Sequence, residues 1–338
     1  MGRVPLLLIT SAEKDPAPCD QSQGARLAAL YGPACGFVEL VEESFDRGDL
    51  GNLAQKINQR VGKFAGMIGA TNVPESTRLG EIAAQLNILC FVANNNPSVW
   101  LGRRQIFHIG LPSRQTATAV AQVLKKAGFR RVFLLSDETD FQSRVAAGTV
   151  SALEENGIQA TSTSGSDLVW LHRAQDWQPD LLYLIYSDEA RALPLARLFR
   201  SAQPKTTLLL GRSLLRSSFI AALGSAAEEV WFVDLFRRQP EQRTPIGEFT
   251  EALRREGVDC PTANHGFGWD AMTLCAMALG KTDGEPQRAI EFLESGVILE
   301  GVTGRLCFSA ENHNGREGAG PTTISRWRNG RIEEACHA

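Results

Sequence analysis

The sequence predicts an α/β fold built as two units of comparable size, each a parallel sheet covered by helices. Three observations carry that prediction. Short apolar runs alternate with longer amphipathic stretches, the pattern of strands buried on both faces between helices. The chain has 338 residues, about two domains of ordinary size. The alternation also restarts midway with the same grammar, and its character changes only at Arg237.

Taken in order, "VPLLLIT" is a first buried strand, followed by a helical stretch around "QSQGARLAALYG". "GFVELVEES" reads as a second strand. "DLGNLAQKINQRVGK" reads as a helix that opens with acid and closes with base, matching its dipole. "FAGMIGAT" is a third strand, "STRLGEIAAQLN" a helix and "ILCFVAN" a fourth strand. The second half runs "RQTATAVAQVLKKAG" as helix, "RRVFLLSDE" as strand and "FQSRVAAGTVSALEENG" as helix, with Asn156-Gly157 as its stop. "QPDLLYLIYS", "TTLLLGRS" and "EEVWFVDLF" are further strands, separated by helices such as "EARALPLARLFRSA". "RRQPEQRTPIG" is charged and aperiodic, a crossing or linker. Three helical segments follow: "IGEFTEALRREG", "HGFGWDAMTLCAMALG" and "EPQRAIEFLESG". The tail is a strand, a polar loop and a hairpin turned at Asn329-Gly330.

Composition narrows the function classes. The chain is 43% apolar and 22% charged, which supplies ample core. Its net charge of -3, with no block of basic residues, argues against nucleic-acid binding by phosphate neutralisation. No apolar stretch approaches the ~20 residues of a membrane helix. Glu13, Lys14 and Asp15 directly follow "VPLLLIT", so that run is read as a strand and not as a leader. The expectation is therefore a cytoplasmic protein or the mature part of an exported one.

Seven cysteines include no CxxC pair, so no zinc or redox motif is expected. Cys90 and Cys275 lie in apolar segments as core residues. A Cys19–Cys35 bridge stays open for an exported protein. Among the five histidines there is no HxxxH or HxH spacing, and the chain has no GxSxG elbow, GxxxxGK[ST] loop or helix-opening GxGxxG. No catalytic constellation, metal site or cofactor site is predicted, and the protein is expected not to be an enzyme.

Four stretches carry a family resemblance: "MIGATNVPESTRLGEIAAQLNILCFVANNNPSVW", "RRVFLLSDETDFQSRVAAGTVSALEENGIQ", "HGFGWDAMTLCAMAL" and "LEGVTGRLCFSAENHNG". In order and spacing the sequence resembles the type 1 periplasmic binding proteins, in the branch that binds branched-chain amino acids and amides. The family's long Gly-rich stretch after the first helix is much shorter here, "LAALYGPACGFVEL". The resemblance implies two Rossmann-like lobes joined by three chain crossings, with a ligand cleft between them. Position puts the crossings near Leu111–Ser113, Phe236–Gln239 and Gly318–Pro321. Lobe 1 is then 1–112 plus 238–320, and lobe 2 is 113–237 plus 321–338. Independently of family, ligands of open parallel sheets bind beyond the carboxyl ends of the strands.

The candidate ligand contacts follow from both arguments. In lobe 1 they are Thr10-Ser11, Ala70-Thr71-Asn72 and Asn94-Asn95-Asn96, with Glu75 and Ser76. In amino-acid binders of this family, the segment matching Val73 to Ser76 is serine-rich and holds the ligand carboxylate. Here Pro74 has no N–H and Glu75 would repel a carboxylate. Ser76 equally fits an N-cap. Amides at Asn94 to Asn96 suit a neutral polar ligand atom, and a plain turn before Pro97 accounts for at least one of them.

In lobe 2, Phe141 matches an aromatic that lies over the ligand in many relatives, with packing at a helix start as the alternative. Tyr186, Ser187 and Asp188, and then Arg212 and Ser213, follow strand ends. Arg212 has three readings: a partner for a ligand carboxylate, an ion pair with Asp188, or a solvated loop side chain. Asp234 is read as a partner of hinge backbone, Trp269 as core, and Trp100 as either a cleft edge or packing.

The resemblance implies the solute-binding protein of an ABC importer, located in the periplasm and working with membrane subunits as a monomer or weak dimer. The expected ligand is a small, relatively apolar molecule (aromatic, amide-like or lipid-related) and not a free amino acid. The alternatives are a cytoplasmic sensor of the amide-regulator type and a structural relative that binds no ligand.

Overall fold

The computed structural model describes residues 3–11, 16–45, 50–59, 64–94, 96–165, 168–235, 244–316 and 322–337. The chain divides into two compact units. Unit 1 comprises Met1–Pro112 with Pro240–Gly318, and unit 2 comprises Ser113–Gln239 with Ala319–Ala338. The predicted crossings at Phe236–Gln239 and Gly318–Pro321, and the candidate Asn95, lie outside the described residues.

Unit 1 begins β1 (Val4–Ser11), α1 (Pro16–Tyr31), β2 (Val38–Phe45), α2 (Leu50–Asn58), β3 (Gly66–Ile68), α3 (Val73–Leu86), β4 (Leu89–Val92) and β5 (Ile106–His108). The five strands form one parallel sheet in the order β2-β1-β3-β4-β5. Its inner strands β3 and β4 are short and wholly apolar, as strands covered on both faces are, while the edge strand β2 (VELVEESF) carries three glutamates. Leu7, Ile9, Met67, Cys90 and Val92 meet Leu79 and Ile82 of α3 in one buried cluster.

Unit 2 contributes α4 (Ser113–Lys126), β6 (Arg131–Ser136), α5 (Asp140–Glu155), β7 (Gln159–Ser164), α6 (Val169–Trp177), β8 (Leu181–Ile185), α7 (Glu189–Ala202), β9 (Thr207–Leu210), α8 (Ser217–Leu223) and β10 (Trp231–Asp234). The chain then returns to unit 1 as α9 (Pro245–Arg255), α10 (Ala263–Lys281), α11 (Pro286–Glu294) and the antiparallel hairpin β11 (Ser295–Gly301) with β12 (Gly304–Ser309). It closes in unit 2 as β13 (Thr323–Arg328) and β14 (Arg331–His337). The seven-stranded sheet of unit 2 runs β14-β13-β10-β9-β8-β6-β7. Its parallel core gains an antiparallel edge from the last hairpin, which turns at Asn329 and Gly330 with φ of 50° and 77°. Two central residues with positive φ are what a two-residue hairpin loop requires, so Asn-Gly fits there.

In unit 1, α1 and α10 cross at contact distance through glycines. A Cβ on Gly24 would collide with the carbonyl of His265, and one on Gly268 with that of Gln21. A glycine inside a helix ordinarily costs about 1 kcal/mol against alanine. Here no larger residue fits. Trp269, read as core, is 2% exposed and meets Phe249 edge-on.

The sequence motifs around Asp270 and Thr303 form one buried latch. The Asp270 carboxylate accepts from the N–H groups of Val302 and Thr303, each at 2.9 Å, and from the Thr303 hydroxyl. Arg316 donates to the Thr303 carbonyl at 2.6 Å, the Ile109 carbonyl at 2.6 Å and the Gly110 carbonyl at 2.8 Å. One ionic network therefore ties α10, the β11–β12 turn and the chain leaving β5. Gly301 is required in that turn because a Cβ would meet the Asp270 carboxyl.

All seven cysteines, Cys19 and Cys35 among them, are free thiols in this structure. Among the described residues no helix is long and apolar enough to cross a membrane.

Candidate functional site

At the carboxyl end of β3 the chain passes through Ala70, a buried non-glycine residue at φ 62°. Left-handed backbone at alanine costs on the order of 1 kcal/mol and persists only where neighbours enforce it. The Ala70 carbonyl accepts from Ala93 N–H at 3.2 Å, which locks the tips of β3 and β4 together.

Asn72 then caps α3. Its side-chain oxygen accepts from Glu75 N–H at 3.1 Å and its carbonyl from Ser76 N–H at 3.1 Å. This corrects the reading of Ser76 as an N-cap. The cap lies four residues earlier because Pro74 is favoured in the first turn, where its missing N–H does no harm. Two first-turn donors are thus engaged and a third does not exist. Glu75 is 2% exposed, and the Ser76 hydroxyl is sealed from solvent without a hydrogen-bond partner.

Beyond β4 the asparagines separate. Asn94 is buried. Its side-chain oxygen accepts from Asn96 N–H at 3.0 Å, while its Nδ2 is sealed and has no acceptor. Asn96 is exposed and caps a short 3₁₀ turn by accepting from Ser98 N–H at 3.0 Å. It therefore fills the plain-turn role.

Behind Asn94 stands His108, whose Nε2 donates to the Asn94 carbonyl. Its Nδ1 lies 2.7 Å from Asn314 Oδ1, and its ring stacks on Trp100 at 3.9 Å. Trp100 is thus packing that supports the asparagine loop. Burial pushes the His108 pKa down to about 4, against opposing hydrogen bonds from Asn314 and Asn94. His313 has a comparable structural role, stacked on Phe107 at 4.4 Å with Nδ1 donating to the Ile106 carbonyl at 2.9 Å. Ser11, the last residue of β1, ends a strand of the same sheet.

In unit 2 the strand tips of β6, β8 and β9 are neighbours in the sheet. At the β6 tip, Asp137 accepts from the Thr139 N–H at 3.0 Å and hydroxyl at 2.5 Å, and Thr139 caps α5. Phe141, in the first turn of α5, is 43% exposed, so packing at the helix start does not account for it.

At the β8 tip the Tyr186 hydroxyl donates to the Gly165 carbonyl at 2.9 Å, and burial pushes its pKa up to about 12. The Ser213 hydroxyl donates to the Tyr186 carbonyl at 2.9 Å. Asp188 caps α7, accepting from Ala190 N–H at 2.8 Å and Arg191 N–H at 3.3 Å. It forms no ion pair with Arg212. Arg212 itself is half-buried, with Nη1 sealed from solvent and without an acceptor. Burial pulls its pKa down, opposed by Tyr183.

Asp234 accepts from Leu235 N–H at 2.8 Å and the Ser325 hydroxyl at 2.6 Å, a backbone and sheet role. Sequence reasoning missed His108 and Arg316 as organisers of the unit 1 tips. His108 reaches Asn314, and Arg316 reaches Ile109 and Gly110, each more than 200 residues away along the chain, and no local pattern announces those contacts. Among the described residues no cluster of three His, Cys, Asp or Glu side chains is placed to hold a metal.

The parallel sheets, their order and the polar residues at their carboxyl ends agree with a family match. A periplasmic binding protein model matches residues 46–331. The chain belongs to the periplasmic binding protein family. Members of this family are solute-binding proteins and not enzymes. Solved structures of periplasmic binding proteins superpose over nearly the whole chain. A leucine binding protein from Thermotoga maritima gives a TM-score of 0.78 at 18% identity, covering 99% of this chain and 98% of that one. An ABC transporter substrate-binding protein from Desulfitobacterium hafniense, solved with Leu, gives 0.78 at 19%, covering 98% and 100%. A solute binding protein from R. palustris, solved in complex with benzoate, gives 0.74 at 15%, covering 99% and 96%. At these identities they establish the shared periplasmic binding protein fold. No curated protein matches the sequence.

Proposed function

We propose that the chain is the substrate-binding component of an ABC importer, working in the periplasm with that importer's membrane subunits. It captures a small, relatively apolar molecule that is not a free α-amino acid. The ligand contacts assigned by this reading are Ser11, Asn72, Glu75, Ser76, Asn94, Asn95 and Asn96 in unit 1, with Phe141, Tyr186, Asp188, Arg212 and Ser213 in unit 2. The three-crossing hinge near Leu111–Ser113, Phe236–Gln239 and Gly318–Pro321 belongs to the same proposal.

One observation carries the exclusion of amino acids: the start of α3 combines a bonded donor at Glu75, a missing one at Pro74 and a buried glutamate side chain. A carboxylate held at a helix N-terminus needs free N–H groups and a positive local field. Here Asn72 occupies the N–H groups of Glu75 and Ser76, Pro74 has none, and the buried side chain beside them is a glutamate. The Asn94 Nδ2 and Ser76 hydroxyl, both without partners, suit a neutral acceptor such as a carbonyl or ether oxygen. Exposed Phe141 offers an apolar ring.

Among the superposable structures are one solved with Leu and one solved with benzoate, so the fold is compatible with either ligand class. Titration calorimetry decides the point. Leucine and isoleucine are expected to give no heat of binding, and micromolar affinity for either would refute the reading.

A further inference from the structure

Most buried or half-buried charged side chains in unit 2 have visible partners. Arg131, Arg200 and Arg326 each have a sealed Nε without an acceptor, yet each engages another nitrogen. Arg131 donates to the Trp177 carbonyl, Arg200 to the Glu228 carbonyl at 3.0 Å, and Arg326 to Glu229 at 3.3 Å. Arg216 lies 3.4 Å from Glu189, which also accepts from the Ser218 hydroxyl. Arg212 differs. Among the described residues its guanidinium makes no hydrogen bond and no ion pair, and Nη1 is closed to water.

Such a group is costly to keep. A buried lysine can shed its proton, but a guanidinium stays charged at any physiological pH. A partly enclosed, unpaired cation therefore favours binding of an anion. Of the three fates open to Arg212 from the sequence, two are removed by geometry. Asp188 is occupied as the cap of α7, and sealed Nη1 is incompatible with a freely solvated side chain. Arg212 lies two residues past Leu210, the end of β9, at the carboxyl edge where open parallel sheets receive ligands. Leu210, Leu214 and Leu215 are buried close to it in sequence, and the buried ring of Tyr183 lies within electrostatic range.

We propose that Arg212 is the anion anchor of this binding protein and that its ligand is an apolar monocarboxylate. The guanidinium fork matches a carboxylate in two parallel hydrogen bonds. One cation balances one negative charge, which favours a monocarboxylate over a phosphate dianion. The inference rests on the solute-binding reading above and moves the carboxylate contact from the α3 terminus of unit 1 to the β9 tip of unit 2.

The test is titration calorimetry of the whole protein with benzoate and hexanoate, and with their uncharged partners benzamide and hexanamide. At least one acid is expected to bind, with its amide about 30-fold weaker or more, as loss of a buried charged partner implies. Arg212→Gln should erase the difference between acid and amide. Arg212→Lys, which keeps the charge without the fork, should retain part of it and serves if the glutamine variant fails to fold. Equal binding of acid and amide, or undiminished acid binding by Arg212→Gln, overturns the anchor while leaving the apolar-ligand reading intact. Absence of heat with either acid also overturns it, as does binding of inorganic phosphate in preference to the acids. Tight leucine binding instead defeats the underlying reading.

Discussion

At the tips of the unit 1 sheet, Asn72 fastens the start of α3, His108 holds the Asn94 carbonyl, and Arg316 gathers three carbonyls beneath the same loops. At the tips of the unit 2 sheet, Asp188 and Thr139 cap their helices in a similar way, but Arg212 has no bonded partner among the described residues. Both edges are formed by parallel strands, and each carries an arginine drawn from solvent, Arg316 fully buried and Arg212 half-buried. One is a structural arginine whose groups are satisfied, and the other is a charge left available. The difference teaches that burial of an ionic group does not by itself indicate function. What separates Arg316 from Arg212 is whether the fold supplies the acceptors.

The largest test of that contrast is removal of the Asp270 carboxylate. It accepts from Val302 and Thr303, and Thr303 in turn accepts from Arg316. Asp270→Ala leaves two N–H groups and a buried guanidinium without their counter-charge. Losing one partner of a buried ionic network costs roughly 3–5 kcal/mol. Urea unfolding should show the midpoint fall accordingly, and a loss below about 1 kcal/mol would mean that the latch is no stronger than a surface ion pair.

Next in size is a pH effect confined to unit 1. Burial holds the His108 pKa at about 4, below its ordinary 6.5. The unfolded chain therefore binds more protons than the folded one between those values, and stability falls as the solution is acidified through that window. The full difference is about 3 kcal/mol, lost progressively from pH 6.5 to 4. His108→Gln should flatten that part of the profile. An unchanged slope would show that other groups carry it.

A smaller effect distinguishes cap from contact at Asn72. Asn72→Ala should cost about 1 kcal/mol of stability, the usual value of an N-cap, and Asn72→Ser should restore most of it. Thermal melting reads the loss. A ligand affinity that falls with both variants would instead mark Asn72 as a direct contact.

Much of the fold was legible because periodicity and length agreed. The run "RRVFLLSDE" contains β6, and "EARALPLARLFRSA" coincides with α7, whose cap Asp188 stands just before it. Helices and strands failed to declare themselves where the pattern was weak. The edge strand β7 reads "QATSTS", half-exposed with Ala160 as its single apolar residue, and β5 is only three residues long. The family was legible from motif order and is shown by the match over residues 46–331. At the site, residue positions were legible but their roles were not. In sequence "TNVPES" offers Ser76 as a cap, whereas Pro74 in the first turn and the Asn72 side chain accepting from Glu75 N–H put the cap at Asn72. "NNN" signals a turn, while the division into a buried Asn94 and an exposed Asn96 depends on His108, fourteen residues further along. The fate of Arg212 depends on which neighbouring acid is already engaged, and Asp188 is engaged by its own helix.

The smallest predicted effect has the opposite sign, and it separates the two arginines most cleanly. Replacing Arg212 with methionine keeps the length and apolar stem of the side chain while removing a charge that the folded protein leaves unpaired. Without ligand, Arg212→Met should stabilise unit 2 by roughly 0.5–1 kcal/mol, as relief of a functional charge commonly does. Arg316→Met should destabilise unit 1, because it orphans the carbonyls of Ile109, Gly110 and Thr303. Paired urea titrations of the two variants give the sign directly. If Arg212→Met also destabilises, its guanidinium has a structural partner in solution, and the distinction between a satisfied and an available arginine fails.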